Sequence, residues 1–380
     1  MEPEQRENST SKALLIVGSV LLFIIALQFI TAGFQHLGKS LADSIIEATS
    51  NPFIGLFIGL LITAILQSSS TTTTMAVALV ASGSIPLTNA VPIVIGANIG
   101  TTLTSTLVSL SYITNRNEFV KAFSAGIVHD LFNISVALLI FPLELRYQLL
   151  SRSSAKLAQL FPVFEGTFYV EGIDNLLQPL NLYFIDIIGG LPTICLGLFL
   201  LLTTVKIVSK LLYYQWINRP NQQGKILGNK FKTFGLGVLV TSIIQSSSLS
   251  TSMMVPLVAT GKLSIRRAFA FIIGSNLGTT VTALIAAVFQ SEIALSLAFA
   301  HFVFNLVGCS LYLAIPHLFR MMSYISNQLG MITLRMRLVG ITYVLMTFFI
   351  VPFALIYLSK ESPTTVVTNK QVHVESKKRN

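Results

Sequence analysis

Charged side chains are scarce in this chain of 380 residues: Asp, Glu, Lys and Arg together make up 11% of it. Soluble domains normally carry roughly 25%, so a water-facing globular surface of this length is excluded. Cysteine is scarcer still. Cys195 and Cys309 are the two in the chain, and both lie within apolar runs. That excludes a disulfide scaffold and reads as buried free thiols, which behave as small hydrophobes. No Cys or His spacing typical of a metal site occurs. The start, with Glu2, Glu4 and Glu7, lacks the basic flank of a secretory signal, so the apolar run behind it is expected to be retained. The net charge is +10, but the excess sits in loops and the tail. With no basic face free of membrane, a nucleic-acid partner is excluded and cytoplasmic loops explain the charge.

What the chain has in quantity is hydrocarbon. Hydrophobic residues make up 53% of it, and the mean hydropathy is +0.74. Runs at 13–34, 90–110, 119–141, 182–205, 268–288, 295–316 and 338–358 exceed the roughly 18 residues that mark a spanning helix. The bilayer is the expected solvent.

The sequence is duplicated. Gln67-Ser68-Ser69-Ser70 returns 178 residues later as Gln245-Ser246-Ser247-Ser248, and Gly96-Ala97-Asn98-Ile99-Gly100-Thr101-Thr102 returns at the same offset as Gly274-Ser275-Asn276-Leu277-Gly278-Thr279-Thr280. Segments 67–102 and 245–280 share 18 identities in 36 ungapped positions. A third landmark, His129-Asp130-Leu131-Phe132-Asn133, returns as His301-Phe302-Val303-Phe304-Asn305, 172 residues on. Three landmarks in one order define a repeat.

Each Gln-Ser-Ser-Ser follows a short apolar segment, 52–66 or 231–244, and precedes another, 71–81 or 249–259. At ~1.5 Å per residue the longer segments reach only ~20 Å, too short for a ~30 Å hydrocarbon core. Two half-length helices meeting at a polar tip predict a re-entrant hairpin. Three spans (90–110, 119–141, 182–205) separate the hairpins, so the second is expected to enter from the opposite face, a recurrent transporter plan. Segment 206–232 carries Lys206, Lys210, Arg219, Lys225, Lys230 and Lys232 without an acid, which places it in the cytoplasm. Alternation then places the N-terminus inside and 143–180 outside. The tail after 359, five basic residues against two acids, falls outside by the same count, against its charge.

The expected fold is therefore an all-α integral membrane protein with two inverted-topology repeats, each holding a re-entrant helical hairpin, plus flanking transmembrane helices. Its parts are a cytoplasmic N-terminal tail (1–12), repeat 1 (13–141, hairpin 52–85), an extracytoplasmic linker (142–181) and repeat 2 (182–316, hairpin 231–262). An amphipathic segment with a final transmembrane helix (317–358) and a polar tail (359–380) complete the chain.

The tips indicate the chemistry. Ser68 to Thr74 are seven consecutive hydroxyl residues, matched by Ser246–Ser248, Ser250, Thr251 and Ser252. Hydroxyls donate and accept, so one cavity lined by them can take an oxyanion and a hard cation together. The half-helix that starts in each run offers free N–H groups to an anion. No Lys or Arg falls inside either repeat's membrane core, so cations must supply the countercharge. Small Ser and Thr also suit tight helix packing, but two such runs, each behind a half-span and a Gln, favour a site. Asn98, Asn276, Thr101 and Thr279 of the Gly-x-Asn-x-Gly-Thr-Thr segments are expected to line it.

Asp130 sits mid-span, where a carboxylate costs about 2.5–3.5 kcal/mol on insertion scales and usually marks an ion path. Its repeat partner is Phe302, so the fold does not demand the charge. It is expected to ligate sodium, with Asn133 one turn on. His129 and His301 are expected to bridge helices as neutral donors, and Asp186, near the end of its span, to be structural. An intramembrane serine hydrolase would need a base beside its nucleophile, and no Gly-x-Ser-x-Gly occurs.

These motifs, over about 13–358, resemble the type II sodium–phosphate cotransporter family: the Gln-Ser-Ser-Ser pair, the two Gly-x-Asn-x-Gly-Thr-Thr segments and Val128-His129-Asp130-Leu131-Phe132-Asn133. The resemblance implies phosphate uptake driven by sodium, with sulfate or a small carboxylate as the alternative cargo. It implies phosphate ligands at Gln67, Ser68, Ser69, Ser70, Gln245, Ser246, Ser247 and Ser248. The implied sodium ligands are Asp130, Asn133, Thr73, Asn98, Thr101, Ser247, Thr251, Asn276 and Thr279. An acid at Asp130 is the mark of the family's electrogenic members. Asn115 stands where some animal relatives have an acid, and 143–180 lacks their cysteines and glycosylation sequons, which suits a bacterial inner-membrane member. The implied partners are phosphate, sodium and the bilayer, with a homodimer as a possible assembly. No cofactor is expected beyond Na+ as coupling ion.

Overall fold

A computed structural model describes residues 3–36, 46–47, 49–161, 170–217 and 229–360. Every regular element among them is helical. In chain order they are α1 (Pro3–His36), α2 (Pro52–Leu66), α3 (Ser69–Ala81), α4 (Leu87–Leu110), α5 (Arg116–Tyr147), α6 (Leu149–Leu160) and α7 (Val170–Ile188). The second half holds α8 (Gly190–Ile217), α9 (Lys230–Ile244), α10 (Ser247–Ala259), α11 (Ile265–Val288), α12 (Glu292–Ala314), α13 (Pro316–Arg335) and α14 (Arg337–Leu358). Five are long and apolar enough to cross a membrane: α4, α5, α11, α12 and α14. The tail expected after 359 and the centre of the loop expected at 206–232 lie outside the described residues. The expected N-terminal tail is helical from Pro3.

One expected span differs. The run 182–205 is broken at Gly189, whose φ of +82° stops α7 and lets α8 start at Gly190. A residue with a Cβ is disfavoured in that conformation. The segment expected as a linker, 142–181, contains α6 and much of α7. Gln148 turns the chain with a left-handed φ of 53°, and the buried Glu144 carboxylate accepts the Leu150 amide at 2.6 Å together with the Ser151 hydroxyl. The carboxylate thereby satisfies donors at the start of α6 that its helix cannot.

Polarity is distributed inside out. Thr71, Thr73, Thr74, Ser105, Thr106, Asn133, Ser250 and Thr251 are fully buried, while Leu138, Phe199, Leu239, Leu338 and Phe353 are exposed. Water would penalise so many exposed apolar side chains; lipid does not.

Packing between the two halves is reciprocal. Helix α2 lies on α4 as α9 lies on α11, α6 on α12 as α13 on α5, α3 on α12 as α10 on α5, and α1 pairs with α8. Glycines of the duplicated motif set the closest of these approaches. A Cβ on Gly96 would meet the Leu56 carbonyl oxygen at 1.8 Å, and one on Gly274 would meet the Phe234 oxygen at 2.1 Å. These contacts clamp α2 to α4 and α9 to α11.

Candidate functional site

The breaks between half-helices fall at the Gln-Ser junctions. Gln67 and Gln245 close α2 and α9 in the left-handed region, at φ 52° and 57°. Such a conformation is uncommon for a residue with a side chain and costs about 1–2 kcal/mol. The next residue caps the second half-helix. The Ser68 hydroxyl accepts from the Thr71 amide at 3.2 Å, and Ser246 does the same for Leu249 at 3.3 Å. Ser begins each helix because its short side chain reaches back to an amide that has no helical partner.

The two tips touch. Ser69 Oγ and Ser247 Oγ lie 3.5 Å apart, and the Ser70 hydroxyl donates to the Gln245 carbonyl at 3.2 Å. Ser69, Ser70, Ser247 and Ser248 are buried, Ser68, Gln245 and Ser246 half-buried, and Gln67 exposed. The Ser248 hydroxyl is buried without a hydrogen-bond partner, as are those of Thr73 and Thr74.

A polar branch of two separate hydrogen-bonded groups is carried by neighbouring residues of α4, Ser105 and Thr106. The Thr251 hydroxyl donates to the Ser247 carbonyl (2.8 Å) and meets Ser105 Oγ at 3.0 Å. Next in sequence, Thr106 donates to Asp130 Oδ2 at 2.8 Å, and the Tyr343 hydroxyl donates to the same oxygen at 3.1 Å. Thr102, its hydroxyl turned to the Ile99 carbonyl at 2.8 Å, lies beside the carboxylate. Asp130 is fully buried, and its second oxygen, Oδ1, makes no hydrogen bond. Two hydrogen bonds to a charged group, each worth about 1.5–3 kcal/mol, offset the insertion cost of the carboxylate. They leave one oxygen for a ligand.

The branch exists on one side only. At the repeat-equivalent positions Ser105 is matched by Ala283, Thr106 by Leu284 and Asp130 by Phe302. Thr73, the equivalent of Thr251, consequently lacks the partner that Ser105 supplies.

Asn98 and Asn276 join a second network. The Asn98 side-chain oxygen accepts from His301 Nε2 (3.3 Å) and Asn305 Nδ2 (3.0 Å). In exchange, Asn276 Oδ1 accepts from His129 Nε2 at 2.7 Å, and Asn276 Nδ2 donates to Asn133 Oδ1 at 2.6 Å. Asn133 itself donates to the Asn98 carbonyl at 2.8 Å. Each repeat's His-x3-Asn pair holds the other repeat's Asn, so these four asparagines are engaged between the halves. Thr101 and Thr279 turn their hydroxyls to their own helices, at 3.0 Å to Ala97 and 2.9 Å to Ser275. The histidines bridge helices through hydrogen bonds to the opposite repeat's asparagines, as expected. Replacing Asn276 by Ala strands two buried partners, each loss worth about 1–3 kcal/mol. The purified variant is expected to unfold several degrees below wild type; an unchanged midpoint would remove this network from the structural core.

Ser105, Thr106, Asn305 and Tyr343 were not among the expected site residues. For Ser105 and Thr106 the signal was present in the hydroxyl-rich run Thr101-Thr102-Leu103-Thr104-Ser105-Thr106, which continues the recognised motif. Asn305 was visible as the repeat equivalent of Asn133. Tyr343 carried none.

A helical bundle with an apolar exterior, a buried hydroxyl and amide centre and two interlocked halves defines an integral membrane protein with an internal polar site. The chain belongs to the Na+/Pi-cotransporter family, whose model matches residues 22–163 and 200–359. Sodium-dependent phosphate transport protein 2A of Rattus norvegicus is 29% identical to it over 429 residues, covering 90% of this chain and 66% of the relative. Protein 2B of Homo sapiens is 28% identical over 450 residues, covering 92% and 65%. The chain thus spans about two thirds of the length of these relatives. No solved structure matches it.

Proposed function

We propose that this protein is a sodium-coupled symporter that imports inorganic phosphate by alternating access. The observation that carries the reading is the contact between the two duplicated tips, Ser69 against Ser247. It places two helix N-termini and a set of buried hydroxyls around one point, a suitable environment for an oxyanion. Gln67 to Ser70 and Gln245 to Ser248 are the phosphate ligands in this reading. Asp130 Oδ1, Ser105, Thr251 and Ser247 are assigned to the sodium that neutralises it, with Thr73 as a further candidate. Asn98, Asn133 and Asn276 are assigned to holding the halves together.

Inverted insertion of the hairpins is supported by the reciprocal packing between the two halves. With the N-terminus in the cytoplasm of a bacterial cell, a 570 Å³ cavity bordered by Gln28, Thr31, Asn181 and Gln290 lies at the outer ends of α1, α3 and α11. A 410 Å³ groove along Ser111, Tyr112, Leu249 and Ser252 then opens on the inner side. In this reading the tips separate the two vestibules, as alternating access requires.

Purified protein in liposomes is expected to accumulate radiolabelled phosphate when sodium is outside, with uptake falling at least tenfold when choline replaces it. Unlabelled arsenate should compete and sulfate should not. Equal uptake in choline would refute the coupling, and competition by sulfate but not arsenate would refute the cargo.

A further inference from the structure

Tyr343 reaches Asp130 from α14, the last helix, which follows both Gln-Ser-Ser-Ser units in the chain. Its position is set by packing. The ring lies against the buried cluster Phe119, Phe123 and Ile127 on α5, whose spacing puts those residues on the face that Asp130 continues. One turn earlier, a Cβ on Gly340 would meet Thr333 at 2.7 Å and Leu110 at 3.4 Å, so the glycine lets α14 lie close to the carboxylate. One turn later the helix widens to a π turn over Met346–Ile350, with Phe348 fully buried inside it. Beyond that turn Phe353 meets Phe57 of α2 with ring centroids 4.5 Å apart. A π turn inside an α-helix recurs at functional positions.

Thr106 and Tyr343 both donate to Oδ2, Thr102 lies beside the carboxylate, and Oδ1 accepts no hydrogen bond. Two hydrogen bonds fill the acceptor capacity of Oδ2 and favour a cation contact through Oδ1. We propose that Tyr343 is a positioning residue that fixes Asp130 so that it meets the coupling cation through Oδ1 alone, and thereby sets the site's preference for sodium over the smaller lithium. The inference rests on the assignment of Asp130 to sodium. A rigid single-oxygen contact suits one cation radius, whereas a carboxylate free to turn adapts to both.

The test uses Tyr343→Phe, which keeps the ring and removes the donor, in the full chain. Sodium and lithium are titrated against two readouts: the thermal midpoint of the purified protein and phosphate uptake into liposomes. Half-saturating sodium is expected to rise roughly five- to tenfold, part of the worth of one hydrogen bond to a charged group. The sodium-to-lithium ratio should fall, while half-saturating phosphate at saturating sodium stays within about twofold. Thr106→Val, which removes the other donor to Oδ2, should shift sodium in the same direction and serves if the first variant does not accumulate. In an Asp130→Asn background Tyr343→Phe should add nothing. A sodium curve for Tyr343→Phe that overlays wild type would overturn the inference, as would an equal shift in the Asp130→Asn background. If Asp130→Asn alone leaves sodium dependence intact, the assignment of Asp130 fails and the inference falls with it.

Discussion

Asp130→Asn is expected to keep the fold, lose sodium affinity and stop the movement of net charge with phosphate. Asn still accepts from Thr106 and Tyr343, so the hydrogen bonds that hold the residue persist. Removing a buried charge relieves about 2.5–3.5 kcal/mol of insertion cost, so the thermal midpoint should hold or rise. Function moves the other way. Asp130 is the one acidic side chain among the residues assigned to the proposed site, and without it a sodium ion there has only neutral side-chain oxygens. Voltage acts at about 2.3 kcal/mol per elementary charge per 100 mV. Loss of one coupled sodium should therefore flatten the voltage dependence of uptake while labelled phosphate still enters. Uptake currents that keep their wild-type voltage dependence would show that Asp130 takes no part in coupling.

The second large effect concerns packing. Gly96→Val and Gly274→Val are expected to abolish accumulation of folded protein. The added carbons would fall 1.8 Å from the Leu56 oxygen and 2.1 Å from the Phe234 oxygen, and both obstacles are backbone. Overpacking against side chains costs about 1–3 kcal/mol; here a whole half-helix must move, and the hairpin with it. Gly235 supplies the control, since a Cβ there meets nothing within 4 Å. Gly235→Ala should be neutral or stabilise α9 by about 0.5–1 kcal/mol. Size-exclusion profiles of the three variants decide the point. A monodisperse Gly96→Val at wild-type yield would mean that α2 and α4 are not in such close contact.

What could be read from the sequence followed from local physics. The half-helices were legible because apolar stretches of about 15 residues stop at Gln-Ser, and the structure breaks them there with left-handed Gln67 and Gln245. The break at Gly189 was not legible: hydropathy is smooth across an apolar run and says nothing about the sign of φ. The asparagines show a different limit. An amide oxygen in a duplicated motif suits a sodium ligand and a helix clamp equally well. What the sequence could not show is the exchange of partners between repeats, which pairs Asn98 with His301 and Asn276 with His129. Tyr343 was beyond reach for the same reason. Its role depends on which face of α5 the last helix covers, and no periodicity within α14 encodes that.

The shared site is tested most directly by joining the tips. With Cys195 and Cys309 replaced, Ser69→Cys and Ser247→Cys place two thiols where hydroxyl oxygens lie 3.5 Å apart, within a small adjustment of disulfide geometry. Mild oxidation is expected to form an intrachain disulfide, and sodium with phosphate, though neither alone, should slow its formation severalfold. A disulfide that never forms, or that forms at one rate with and without both solutes, would contradict a phosphate and sodium site between the tips.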